Sequence, residues 1–402
     1  VISTTKKKVG LPYRPQLDGL RTFAVGAVLL QHFVGFGNLP GVLGRMPWGN
    51  FGVKLFFVLS GFLITGILLQ SRDSVDTSHV SKWFVARQFY IRRFLRIFPL
   101  YYFVIAVCVA INLHPVREIL WWLLTYTVNN YAAMQGKWMD YFAHLWSLAV
   151  EEQFYIVWPW FVLFVRPRRL VFVTLGMVAI GMGWRGLAYL RGSNFIAIYH
   201  FTFACLDTLG LGSLLALLHH SSISKQSIQR FLTRLILPVG IVGAGVVFVL
   251  GDTDIAQIPQ VVLLETFVGL IFCWLVSGAM VGFRGPGGAL LESRPMVYCG
   301  KISYGIYVYQ AFAATLVKRF CDGIGFPLDQ PSWLNLFLVA AASVLMASVS
   351  WYVLEKPINN LKRWFSYGPK RVSWDGEILA RAEGQELSAK GLELNHKKVS
   401  VL

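Results

Sequence analysis

The sequence predicts an all-α polytopic membrane protein of about ten transmembrane helices with both termini cytoplasmic. Three observations lead there. Of the 402 residues, 55% are hydrophobic and 14% charged, where soluble domains carry nearer a quarter charged, and the mean hydropathy is +0.56. Apolar runs close to the length that crosses a bilayer recur along the chain. Lysine and arginine gather on alternate connecting segments. The net charge of +17 therefore reads as a positive-inside topology rather than a nucleic-acid surface.

The runs are 17–36, 51–70, 98–113, 145–165, 170–190, 199–218, 235–251, 259–282, 302–320 and 333–354. With the N-terminus inside, the inner segments collect Lys6, Lys7, Lys8 and Arg14, then Arg72 through Arg96, then Arg166, Arg168 and Arg169. The outer loops keep few cations, among them Arg45, Arg117 and Lys137. The stretch 119–130 falls short of a span and is expected to be re-entrant or interfacial on the outer side; as an eleventh span it would invert everything after it. Residues 1–16 form a cytoplasmic segment, 17–357 the membrane domain and 358–402 a polar cytoplasmic tail. No cleavable leader is expected, because the first run is too long and contains Arg21. Cys108, Cys205, Cys273, Cys299 and Cys321 lie in or beside spans without ligand spacing, so neither disulfides nor a metal site is expected.

The first run carries Asp18, Arg21 and His32. Ionisable groups inside a bilayer are costly and are functional candidates by default. Eleven residues apart, Arg21 and His32 differ by about 20° around the helix and by about 16 Å along it. Histidine suits a general base, although a hydrogen-bonded packing residue would also explain it. In 51–70, Ser60-Gly61 lets another helix or a slender ligand approach the backbone, and Lys54 lies near the outer end, placed to snorkel. Arg92, Arg93 and Arg96 stand just inside the membrane ahead of Pro99. Their planar forks suit phosphate, while a lipid-binding basic helix is the blander alternative. Ser147, Glu151 and Tyr155 share one helical face, and Glu151 falls in the outer half, as His32 does, which makes it the expected charge partner.

These pieces, in this order, resemble the acyltransferase-three family of integral membrane acyltransferases, which modify bacterial surface glycans and some other acceptors. The likeness rests on LDGLRTFAV followed by His32, FFVLSGFL at 56–63, Arg93 and Arg96 running into RIFPLYY, WSLAVEEQFY at 146–155, and KISYGIY with the terminal EKP. The resemblance implies transfer of an acyl group, usually acetyl, from cytosolic acyl-coenzyme A to a hydroxyl. It implies His32 as the catalytic residue with Arg21 as its partner, Glu151 in the active site and Arg93 and Arg96 toward the donor; Arg92 and Ser60 are added as donor-binding candidates. The acceptor would be a glycan or lipid-linked glycan outside the bacterial cytoplasmic membrane, and no metal takes part. Position 310 is Gln where many relatives have His, which leaves its role open. No fused esterase-like domain is expected, so the membrane domain or a partner would engage the acceptor. A small-molecule acceptor is the alternative within the same chemistry, and a transporter the alternative outside it.

Overall fold

The computed structural model describes residues 13–35, 39–78, 80–250, 257–326, 328 and 331–367. Residues 1–12 of the predicted N-terminal segment and the predicted tail from 368 onward lie outside the described residues. Regular structure among the described residues is all helical. Ten long helices occupy the ten predicted runs: α1 (Pro15–Phe33), α2 (Trp48–Ser78), α3 (Lys82–Ala110), α4 (Trp146–Phe164), α5 (Pro167–Leu190), α6 (Leu206–His220), α7 (Leu237–Leu250), α8 (Gln257–Val281), α9 (Ser303–Gly323) and α10 (Trp333–Ser350).

Seven of these, taken with their flanking turns, are long and apolar enough to cross a membrane. The other three are α1, α4 and α9. They carry Arg21 and His32, Glu151 and Glu152, and Gln310, and those polar residues dilute their hydropathy. The stretch 119–130 contributes only Leu120–Leu124 and part of Val128–Gln135. At about 1.5 Å per residue neither helix approaches a bilayer's thickness.

Local sequence sets the helix ends. Pro15 and Pro167 occupy first-turn positions, where a missing N–H costs nothing. Ser81 caps α3 by accepting from the Phe84 amide at 3.1 Å. One boundary differs from expectation. The arginine stretch and the span that follows it form a single helix, α3, which continues through Pro99. Proline is tolerated inside membrane helices because neighbouring groups satisfy the backbone it frees. The arginines are thereby held rigidly to a membrane helix instead of lying on a separate surface helix.

Helix α2 is the centre of the bundle: 78% of its apolar stretch is buried, against 17% for the peripheral span that ends in α7. It packs on α1, α4, α6 and α8. The crossing with α6 depends on two glycines facing opposite backbones. A Cβ on Gly61 would lie 2.2 Å from the Leu209 carbonyl oxygen, and one on Gly212 would lie 2.2 Å from that of Val58. Only glycine permits this approach, so the packing reading of Ser60-Gly61 holds for Gly61.

Lys54 requires a correction. It does not snorkel; it is wholly buried, and its Nζ lies 2.6 Å from Glu265 of α8. Arg185 of α5 joins the cluster at 3.2 Å from Glu265 and 2.8 Å from Asp207 of α6. Two cations and two carboxylates thus close four helices around a neutral ionic centre. Once buried, a lysine with a carboxylate in reach is better satisfied by it than by stretching toward water.

Candidate active site

Three cavities follow one another along the bundle. The first, of about 610 Å³, lies at the N-terminal end of α1. Five arginines and two lysines line it against Asp18 and Glu355, which makes it a strongly basic chamber. The second is a narrow space of about 110 Å³ that shares Arg21, Leu63, Arg93, Arg96 and Tyr304 with the first. The third, of about 680 Å³, reaches the C-terminal end of α1, where His32 stands. Tyr307 lines both the second and the third. His32 also lines a more open cavity with Gln310 and His144.

In the basic chamber Arg21 is ion-paired to Asp18, whose other oxygen accepts from the Tyr13 hydroxyl at 2.9 Å. Burial, and after it the Asp18 hydrogen bond, push the Tyr13 hydroxyl up to about 12, so it remains a donor. Arg93 lies 5.0 Å over the Tyr155 ring. Among the described residues neither Arg93 nor Arg96 has a hydrogen-bond or salt-bridge partner, which leaves both forks for a ligand. Arg92 is used differently: it donates to the carbonyls of Lys362 at 2.9 Å and Phe365 at 3.0 Å and sits 5.2 Å over Tyr367. It ties the end of the described chain to α3 and forms part of the chamber wall.

The narrow space brings together Ser60, Glu151 and Tyr155. The Ser60 hydroxyl donates to Glu151 Oε1 at 2.7 Å, and the Tyr155 hydroxyl donates to Ser60 Oγ at 2.8 Å and to Glu151 Oε2 at 3.2 Å. Ser147, Glu151 and Tyr155 all line this space, as their spacing on α4 requires. Beyond it Tyr307 closes the way, hydrogen-bonded to Ser147 Oγ at 2.7 Å and donating to the His144 carbonyl at 2.7 Å.

Glu151 is therefore not the hydrogen-bond partner of His32. The His32 ring meets Gln310, with Nδ1 3.2 Å from Oε1, while Gln310 Nε2 donates to the Tyr307 carbonyl at 3.2 Å. An amide oxygen only accepts, so Nδ1 carries a proton, and in the neutral ring the lone pair is then on Nε2. This is how a triad carboxylate sets a histidine tautomer, here with a neutral group. Arg21 and His32 share a face of α1, as expected, but serve different cavities. The sequence reading noted position 310 only as a departure, since nothing in one chain marks a partner 278 residues away. Lys301 and Lys362 were missed as well, and Arg185, Asp207 and Glu265 could have been flagged as ionisable residues inside apolar runs.

Removing the amide tests its role. Gln310→Leu should lower kcat roughly tenfold by freeing the ring while the affinity for the donor stays as it was, measured by steady-state kinetics alongside donor binding.

The family model described as "Acyltransferase domain" matches residues 14–354. The chain is 28% identical over 373 residues to the peptidoglycan O-acetyltransferase OatA of Listeria monocytogenes, covering 86% of this chain and 56% of that protein. It is 26% identical over 387 residues to the O-acetyltransferase OatA of Staphylococcus aureus, covering 90% and 60%. The chain thus spans little more than half the length of these curated relatives. No solved structure matches it.

Proposed function

The chain belongs to the acyltransferase family whose model spans residues 14–354, and from that premise we propose that it moves an acyl group, acetyl by resemblance, from cytosolic acyl-coenzyme A to a hydroxyl of a glycan across the membrane. The observation that carries this reading is the row of cavities: a basic chamber, a narrow polar passage, and a larger cavity holding His32. Phosphates cannot enter hydrocarbon, so the nucleotide end of the donor would stay in the chamber against Arg93 and Arg96. Its slender thioester arm would extend past Ser60 and Glu151 once the Tyr307 side chain moves. With both termini cytoplasmic, the chamber faces the cytosol and His32 the outer surface.

At the far end His32 Nε2 takes the proton of the acceptor hydroxyl as its oxygen attacks the thioester carbonyl. The carbon–sulfur bond breaks, and the thiolate recovers the proton from the imidazolium. Gln310 holds the ring in the tautomer this needs. Glu151, hydrogen-bonded to Ser60 and Tyr155 and facing the free arginines, has a positioning role on the donor arm.

Proteoliposomes with labelled acetyl-coenzyme A on one side and a soluble saccharide on the other test the reading. Labelled ester on the saccharide is the expected result. Absence of any thioester cleavage, with the donor intact on both sides, would favour the transporter alternative.

The donor chamber gives a second expectation. Arg93→Ala and Arg96→Ala should each weaken acyl-coenzyme A binding by about 1.5–3 kcal/mol, the worth of a charge-assisted hydrogen bond. Arg→Lys should restore binding only partly, because an ammonium is a point charge without the bidentate fork. Calorimetric titration with coenzyme A reads this; wild-type affinity in both alanine variants would reassign the arginines to lipid.

A further inference from the structure

A fifth cavity, of about 530 Å³, runs beside α1 between α2, α8 and the short helix Gly285–Glu292. Every residue lining it except Arg284 is apolar or glycine. It opens toward the lipid-facing side, where Phe23 is 48% and Leu290 51% exposed. It also adjoins the site: Phe51 stands between this groove and the His32 cavity and lines both. Its neighbours divide between the two, with Asn50 in the His32 cavity and Gly52 in the groove.

The two spaces differ in chemistry in a matched way. The His32 cavity is lined by Gln260, by Gln31, whose Oε1 accepts from the Gly49 amide, and by Asn50, whose Nδ2 donates to Glu265 while its Oδ1 is left without a partner among the described residues. The rings of Trp138 and Trp146 stand beside His200 at 4.8 and 4.3 Å. Planar amides with aromatic faces suit a sugar, whose hydroxyls need partners and whose C–H faces are apolar. Arg45, exposed, lines that cavity three residues ahead of Trp48, which lines the groove. A molecule occupying both spaces would have a polar head, an anionic link near Arg45 and a hydrocarbon tail. Groove and cavity volumes both fall within the usual range of ligand sites.

We propose that the groove between Phe51 and Phe283 receives the hydrocarbon tail of a lipid-anchored saccharide, whose sugar occupies the His32 cavity as the acyl acceptor. The proposal rests on the acyltransferase reading. The direction agrees: in that topology Phe51 stands toward the outer surface and Phe283 toward the inner one, so a tail hanging from an outer-leaflet head group enters at Phe51. Bilayer hydrocarbon is as apolar as the groove, so the tail gains little by transfer. What the groove supplies is position, fixing the depth and orientation of the head group's hydroxyl before His32.

The test uses the full chain in phospholipid vesicles with a synthetic polyprenyl-phosphate-linked disaccharide and the same disaccharide without its tail. The wild-type protein should prefer the tailed acceptor in kcat/KM. Ala27→Trp and Gly287→Phe should reduce that preference by roughly tenfold or more, the scale of a lost alignment. At Gly287 a Cβ meets nothing within 4 Å, so a side chain starts there in open space, and Gly287 lines the groove. A preference that is absent, or the same in both variants, overturns the proposal. A diazirine in the tail gives a readout independent of turnover. Crosslinks to residues 20–27 or 283–291 support the assignment, even in a preparation that transfers nothing, and that outcome would fault the reaction and not the groove. Crosslinks confined to other helices, or equally frequent with a diazirine phospholipid, overturn it.

Discussion

His32→Ala should abolish acyl transfer in a protein that still folds and inserts. The loss expected of a general base is about 10²–10⁴-fold in kcat. The side chain contributes little else: it is accessible from the cavities it lines, and its hydrogen bond, to Gln310, is long at 3.2 Å. Stability should therefore fall by no more than the roughly 0.5–1.5 kcal/mol of one hydrogen bond, seen as an unchanged elution profile in detergent. Donor affinity should hold, since the arginines stand at the opposite end of α1. Wild-type turnover in a well-inserted His32→Ala protein would remove the residue from the mechanism. Loss of donor binding would move its role to the other end of the pathway.

The second large effect is on stability. Arg185→Leu should destabilise the bundle by about 3–5 kcal/mol, the usual cost of leaving a buried charge uncompensated. Arg185 is fully buried, with Asp207 at 2.8 Å and Glu265 at 3.2 Å. It also donates to the carbonyls of Ala204 at 2.7 Å, Val261 at 3.1 Å and Val262 at 2.7 Å. One guanidinium thus links three helices, and no leucine replaces those bonds. The companion Arg185→Leu/Asp207→Leu should recover part of the loss, because removing both charges leaves Lys54 paired with Glu265. Thermal unfolding of the purified variants reads both values. Equal stability of Arg185→Leu and wild type would show that water or lipid headgroups reach the cluster.

The ten long helices were legible in the sequence because hydropathy is a local property, and so was the face that a helix shows. The spacing of Arg21 and His32 placed both on one stripe of α1, and that of Ser147, Glu151 and Tyr155 placed all three on the narrow cavity. Rotation and register between helices were not legible. They depend on contacts such as Gly61 against Leu209 and Gly212 against Val58, where backbones meet at a distance only the folded bundle defines. For that reason His32 was paired on paper with Glu151, an outer-half carboxylate, while the structure gives it an uncharged amide from α9. The snorkelling expectation for Lys54 rests on its neighbours in sequence alone, and its ion-pair partner, Glu265, comes from α8. The arginine stretch lies ahead of a run that starts at 98, because its charges end the apolar signal there, while in the structure the helix itself runs on from Lys82 through Pro99.

The contact between Tyr307 and Ser147 bears on the cell's energy supply. A row of polar cavities from one face of a membrane to the other is the anatomy of a leak. Each elementary charge slipping through would dissipate about 2.3 kcal/mol for every 100 mV of potential. Tyr307 stands where the arginine-lined spaces meet the His32 cavity, its hydroxyl fixed by Ser147 and the His144 carbonyl and its ring against Phe56, 6.4 Å between centroids. In the proposed reaction that side chain would keep the spaces closed at rest, and the arm of the donor would fill the opening as it passes. A group would then cross the membrane as a bonded cargo without current flowing beside it.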